Sequence, residues 1–283
     1  MDKVELISEI GINFAYGNNK EQFLDNAKRL IRLSSVAGIP YIKLQKRNPD
    51  ISVPEHKKES KKIVPWNDNP ITYLQYKKDI EFDWKEYIEL SMYTKKQGSD
   101  LFASVWDMDS AYFMTEFSDI VKIPSAKITD LEMLDYCRNE YSFKIMSTGM
   151  STEEEIDKAV SVLKPDVIMH TNSVYPTPIK DLKLGYLKWL KEKYGTTIEI
   201  GYSNHCFSTK VMYVAIGMGA TWIEAHFTEN HNLWGSDQAA SIEPNGMFEI
   251  TKAISDYGQV IHDGYGPREL FSGEEKKKES LRG

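Results

Sequence analysis

Residues 201–228 read GYSNHCFSTKVMYVAIGMGATWIEAHFT. Two β-rich apolar runs, TIEIGYS (197–203) and TWIEAHF (221–227), each stop at a histidine. The intervening STKVMYVAIGMG has helical character and ends at Gly219, a residue suited to a left-handed terminus. His205 and His226 are therefore 21 residues apart, the length of one βα repeat. If the two strands are parallel neighbours, both imidazoles land on the same rim. Whether they do depends on the rest of the chain.

The pattern recurs outward in both directions. Further strand candidates are VELISEIGI (4–12), YIKLQ (41–45), DLFASVW (100–106), DIVKIPS (119–125), FKIMST (143–148) and DVIMHT (166–171), which with the first two make eight. Helical patterns lie between them. EQFLDNAKRLIRLSSVAG ends at Gly38, and STEEEIDKAVSVLK opens with Ser151 and Glu154 at capping-box spacing. Eight runs with intervening helices describe a (β/α)8 TIM barrel over residues 1–265, with an open doubly wound sheet as the competing arrangement. The stretch 266–283 reads as a solvated, charged tail. Residues 46–82, polar and dotted with proline, leave the end of the second strand. They read as a long loop, either a flap over the mouth or a surface insertion.

Composition limits the function. Among 283 residues, 41% are hydrophobic and 27% charged, and the net charge is −7, so no basic stripe points to nucleic acid. Two cysteines without a CxxC pair suit a reducing cytoplasm, and no apolar run approaches the ~20 residues that span a membrane. AIGMGA fails as a phosphate loop because it lies late in a helical stretch, and Cys206 beside His205 is poorly placed as a nucleophile.

In a barrel every strand ends at one face, where the site lies. His205 and His226 then form half of a metal site whose other positions take water or substrate oxygen, suited to Mn²⁺, Mg²⁺, Fe²⁺, Co²⁺ or Zn²⁺. The remaining strand ends carry Glu9 and Asn13, Lys43 and Gln45, Ser104, Lys122 and Ser125, Ser147 and Thr148, and Asn172 and Ser173. Two lysines among hydroxyls on one rim form a pocket for a small phosphorylated anion.

EIGIN (9–13), KLQKRNPD (43–50), KIPSAKITDLEML (122–134), MSTGMST (146–152), YPTP (175–178), GYSNH (201–205), EAHFT (224–228) and WGSDQAASIEP (234–244) occur in this order along the chain. The sequence thereby resembles the sialic acid synthase family, including its legionaminate and pseudaminate relatives. That resemblance implies a (β/α)8 barrel that condenses phosphoenolpyruvate with an open-chain amino sugar such as N-acetylmannosamine, giving a nonulosonic acid and phosphate. It implies Mn²⁺ on His205 and His226, with Mg²⁺ or Co²⁺ as alternatives, and Glu9 at the reacting centre. It places phosphoenolpyruvate on Lys43, Lys122, Ser125, Ser147 and Ser203, and the sugar against Gln45, Tyr175 and Asp237.

The departures are Phe14 where members carry histidine, Ala225 where a basic residue is usual, Asn204 in place of an acid, and Ser173 in place of asparagine. A short form without the antifreeze-like domain of longer members is expected. In it Arg47 or a nearby cation would serve the sugar, and barrel surfaces would build a homo-oligomer. A synthase acting on a shorter sugar, or a silent barrel that binds a sugar acid, are the competing readings.

Overall fold

The computed structural model describes residues 3–260 and 268–282, so the expected boundary at 265/266 lies outside the described residues. Among the described residues ten strands occur: β1 (Glu5–Gly11), β2 (Tyr41–Lys46), β3 (Lys61–Val64), β4 (Asn67–Thr72), β5 (Asp100–Val105), β6 (Ile120–Ile123), β7 (Phe143–Ser147), β8 (Val167–Thr171), β9 (Glu199–Asn204) and β10 (Trp222–His226). Eight of them close a barrel in the order β1-β10-β9-β8-β7-β6-β5-β2. Every barrel pairing is parallel. All eight expected runs are barrel strands, and the (β/α)8 arrangement holds over the open sheet.

A helix follows each barrel strand. Local chemistry sets their ends. Asn19 caps the helix Lys20–Val36 by accepting from the Gln22 amide, and Gly38 leaves it at φ 85. The helix Glu153–Leu163 starts one residue later than the sequence suggested: its capping box is Thr152 with Glu155, not Ser151 with Glu154. Ser151 instead donates to the Gly149 carbonyl, which fixes the turn before the helix. Gly219 leaves the helix Lys210–Gly217 at φ 93, confirming its role as terminator.

Inside the barrel, Ile7, Phe102, Ile145, Val167, Met169 and Trp222 form an apolar plug, underlain by Tyr41, Ile120 and Phe143. Side chains two apart on a strand share a face. Glu9, Lys43, Lys122 and Glu224 therefore stand one layer above Ile7, Tyr41, Ile120 and Trp222. The plug is the floor on which the polar layer rests.

Residues 46–82, expected as a long loop, contain regular structure of their own. They contain short helices at Pro49–Ser52 and Glu55–Lys58, the antiparallel hairpin β3–β4, and the helix Tyr73–Asp79. Trp66 and Tyr76 pack edge-on against Trp234, from the loop after β10, at ring centroid distances of 5.1 and 5.7 Å. Lys62 sits over both Tyr76 and Trp234. The excursion is thus a docked element beside the mouth, its order supplied by aromatic contacts with a distant part of the chain.

Beyond the barrel, the described tail contains the helix Glu274–Arg282, with no buried residue. No described helix is long and apolar enough to cross a membrane.

Candidate active site

Asn204 pairs with Ala225 across β9 and β10, so the next residue on each chain is a histidine. The His205 and His226 rings end 5.4 Å apart, centroid to centroid. The histidine spacing therefore means what the barrel reading said it would.

Below them lies a buried quartet of charges. Lys122 Nζ is 2.5 Å from Glu224 Oε1, and Lys43 Nζ is 2.5 Å from Glu9 Oε2 and 3.8 Å from Glu224 Oε2. The Lys43–Glu9 contact is an ion pair whose angles lie outside hydrogen-bond geometry, since Glu9 Oε2 has no such partner. Ser203 donates to Glu224, Gln45 donates to Glu9, and Lys43 reaches Ser104 at 3.5 Å.

Two ammonium groups and two carboxylates balance formally, but burial acts on Lys122, Lys43 and Glu224. It pushes Lys122 down to about 8, with the neighbouring Lys43 adding to the fall and Glu224 opposing it. Burial also works against the Lys43 ammonium, yet Glu224 and Glu9 together outweigh it and hold this group above its usual value. Burial would raise Glu224, but Lys122 and Lys43 overcome it and keep the carboxylate well below the usual range.

Around this quartet a cavity of about 160 Å³ is lined by most of the residues singled out from the sequence, but not by Asn13, Arg47, Thr148, Asn172 or Asp237. Glu9, Lys43, Gln45, Ser104, Lys122, Ser125, Ser147, Ser173, Tyr175, Ser203, His205 and His226 all reach it. Asp237 stands behind His226, with Oδ2 3.8 Å from Nδ1. Trp106, Met150 and Glu224 line the cavity too and were not foreseen. Glu224 is the important omission. It lies within an apolar run, and the signal that could have found it is the pair of lysines: buried ammoniums require buried acids.

One wall needs glycine. A Cβ on Gly149 would stand 2.3 Å from Ser173 Oγ and 2.8 Å from Ser125 Oγ, and the Gly149 amide donates to Ser125 at 3.0 Å. The Ser147 hydroxyl is buried without a hydrogen-bond partner. Hydroxyls and lysines converging on a bare backbone make a cradle for an anion.

The histidines fit a divalent ion. His205 Nδ1 lies 2.6 Å from the Asn172 carbonyl, to which it donates, and this leaves the Nε2 lone pair facing the cavity. The Tyr175 hydroxyl donates to that Nε2 at 2.8 Å, with the two rings stacked. Burial, then the neighbouring His226, lowers His205 to about 3, so its imidazole is neutral under ordinary conditions. His226 Nδ1 is buried and without a hydrogen-bond partner. Among the described residues no three or more His, Cys, Asp or Glu gather as a metal cage, so the two imidazoles would leave the other positions to water or substrate oxygen.

Of the departures, Ser173 lines the cavity, while Phe14, Ala225 and Asn204 do not. Phe14 stacks on Phe82 at 4.5 Å, at the end of the excursion. Ala225 alternates with Glu224 and His226 and so faces the outer, helical layer, where it is buried. Asn204 accepts from Tyr202 and the Cys206 amide, which shapes the turn that presents His205. Arg47 is turned away from the open mouth: it pairs with Glu81 at 3.4 Å, stacks on Trp106 at 4.3 Å and donates to Gln45.

The NeuB family profile matches residues 30–265. The chain is 28% identical over 272 residues to N,N'-diacetyllegionaminic acid synthase of Campylobacter jejuni, covering 93% of this chain and 79% of that protein. It is 28% identical over 265 residues to N-acetylneuraminate-9-phosphate synthase of Drosophila melanogaster, covering 91% and 68%. Among solved structures, N-acetylneuraminic acid synthetase of Leptospira borgpetersenii superposes with a TM-score of 0.83 at 27% identity, covering 99% of this chain and 93% of that one.

Proposed function

The chain belongs to the NeuB family, and from that premise we propose that it condenses phosphoenolpyruvate with the open-chain aldehyde of an N-acetylmannosamine-like amino sugar. The products would be a nonulosonic acid and inorganic phosphate. One observation carries this reading: two buried lysines and two buried carboxylates form the floor of a barrel mouth directly below a pair of buried imidazoles.

In this reading Lys43 and Lys122 hold the phosphate and carboxylate of phosphoenolpyruvate, and Ser125, Ser147 and Ser173 donate to the remaining oxygens. A divalent ion on His205 and His226, Mn²⁺ foremost, would supply Lewis acidity to the aldehyde oxygen. Tyr175, Gln45 and Asp237 orient the sugar so that its aldehyde carbon faces C3 of phosphoenolpyruvate. The new C–C bond draws electrons from the enol and leaves C2 electron-poor. Water adds at C2, and Glu9 is the carboxylate at hand to take its proton. The C2–O bond to phosphate then breaks, leaving the 2-keto acid.

Phosphate release from phosphoenolpyruvate, measured against a panel of N-acetylhexosamines with and without Mn²⁺, tests the reading. Release that requires both an aminosugar and metal, with a nine-carbon acid by product mass, supports it. An eight-carbon product points to a shorter-sugar synthase. No release with any aldose, despite binding of a sugar acid, makes the barrel a binding protein.

A further inference from the structure

Glu9 is held from two sides. Lys43 meets its Oε2, and the Gln45 amide donates to its Oε1 at 3.1 Å. The second contact is built into the strand. β1 shifts register against β2 between Glu9 and Gly11, and Gly11 has φ 55. A Cβ on Gly11 would stand 2.8 Å from Glu9 Oε1 and 3.1 Å from Gln45 Nε2, so a side chain there would wedge the two apart.

The Gln45 amide is clamped at its other end by Arg47, which donates to Oε1. A guanidinium can only donate and a carboxylate can only accept. Both neighbours therefore demand the same amide orientation, oxygen towards Arg47 and NH2 towards Glu9.

Arg47 is itself fixed. It is buried, and it stacks on Trp106 at 4.3 Å. Its Nε lies 3.4 Å from Glu81 Oε1, and its backbone amide donates to Oε2 of the same carboxylate at 3.3 Å. Lys46 reaches that Oε2 at 3.5 Å and donates to the Phe82 carbonyl at 2.6 Å. The end of β2 is thereby tied to the end of the excursion, and the guanidinium is a rigid post behind the cavity wall.

We propose that Arg47 is a positioning residue: through Gln45 it holds the Glu9 carboxylate where the water that adds at C2 gives up its proton. This rests on the synthase reading above. Arg47 does not line the cavity, so it acts through the amide and not on a substrate. Without it the Gln45 side chain is free to change rotamer, and each rotamer that leaves Glu9 removes one of the two contacts that aim the carboxylate.

The experiment is a double-mutant cycle on phosphate release from phosphoenolpyruvate with Mn²⁺ and an N-acetylhexosamine acceptor, joined to crystal structures of the wild type and Arg47→Met. Arg47→Met should lower kcat roughly tenfold to a hundredfold, the cost of a misplaced group. KM for phosphoenolpyruvate, held by Lys43 and Lys122, should change little. In a Gln45→Met background the same substitution should cost less than about twofold further, because the two residues act as one unit. Arg47→Lys keeps a charge for Glu81 but loses the planar fork, and its kcat should lie between the two; it takes the place of Arg47→Met in the cycle if that variant does not fold. Equal losses in both backgrounds overturn the proposal, since Arg47 would then support the fold alone. A loss confined to KM for the sugar also overturns it, since Gln45 would be held for the acceptor and not for Glu9. In the structures, Gln45 should leave Glu9 in Arg47→Met, and an unchanged contact overturns the proposal. If the wild type releases no phosphate with any acceptor, the synthase reading fails, and the position of Gln45 in the variant decides whether Arg47 holds Glu9.

Discussion

Glu224 Oε1 meets Lys122 Nζ at 2.5 Å in a layer where both residues are buried. The same carboxylate is the partner of Ser203 and lies within reach of Lys43, so three strands depend on it. Glu224→Gln keeps the shape but leaves two buried ammoniums with only Glu9 between them. Removing one partner of such a pair costs about 3–5 kcal/mol, which should appear as a lower urea midpoint at neutral pH. Because the folded protein holds the Glu224 carboxyl below its ordinary value of 4.5, its contribution is present above that pH and lost as acid protonates it. The gap between wild type and Glu224→Gln should therefore narrow under acid conditions. A gap that is absent at pH 7, or that widens in acid, would show that the pair is not stabilising.

Lys122 gives a second pH dependence, this time in binding. With its ammonium pushed down to about 8, it is charged at pH 7 and largely neutral at pH 9. Affinity for phosphoenolpyruvate should weaken as pH rises through that value, so that kcat/KM for phosphoenolpyruvate falls by up to about tenfold per unit, as expected for loss of one required proton. Lys43, held above its usual value, stays charged throughout. Lys122→Arg should flatten the alkaline limb, since a guanidinium does not titrate there. An unchanged limb in that variant would exclude Lys122 as its source.

The barrel was legible because parallel strands are buried on both faces and read as apolar runs, and the histidine pair followed from one βα repeat. Lys43 and Lys122 were legible because charges interrupting such runs are unusual. Glu224 breaks its run in the same way, but it hides within EAHF, where the neighbouring histidine draws the eye. The order of residues 46–82 was beyond reach for a different reason. Its helices are short, its hairpin is half polar, and what fixes Trp66 and Tyr76 is Trp234, far along the chain. Local sequence signals do not encode such contacts.

That docking predicts how the excursion behaves. A polar loop would be cut readily by trypsin, whereas a docked element should resist it even without ligands. Trp234→Ala removes the face on which Trp66 and Tyr76 pack and should cost about 1–3 kcal/mol locally. Cleavage at lysines 57–62 should then accelerate while the barrel core stays protected. Rapid cleavage there in the wild type would mean the docked arrangement is only one of several.

The last prediction concerns the Tyr175 hydroxyl, which donates to the one nitrogen of His205 that the Asn172 carbonyl leaves free. In the proposed synthase that Nε2 binds the divalent ion, so the phenol and the metal compete for one lone pair. A neutral hydrogen bond is worth about 1 kcal/mol net, so Tyr175→Phe should tighten Mn²⁺ binding roughly fivefold while preserving the stack on the imidazole. His205→Ala and His226→Ala should instead abolish Mn²⁺ binding and metal-dependent turnover with little change in the fold, since both sit at strand ends above an intact apolar plug. Calorimetric titration of Mn²⁺ into the wild type and the three variants, with circular dichroism as the check on folding, reads all of these. If Tyr175→Phe binds metal no better than wild type, the ion does not use His205 Nε2. If either alanine variant binds it undiminished, the two-histidine site is wrong.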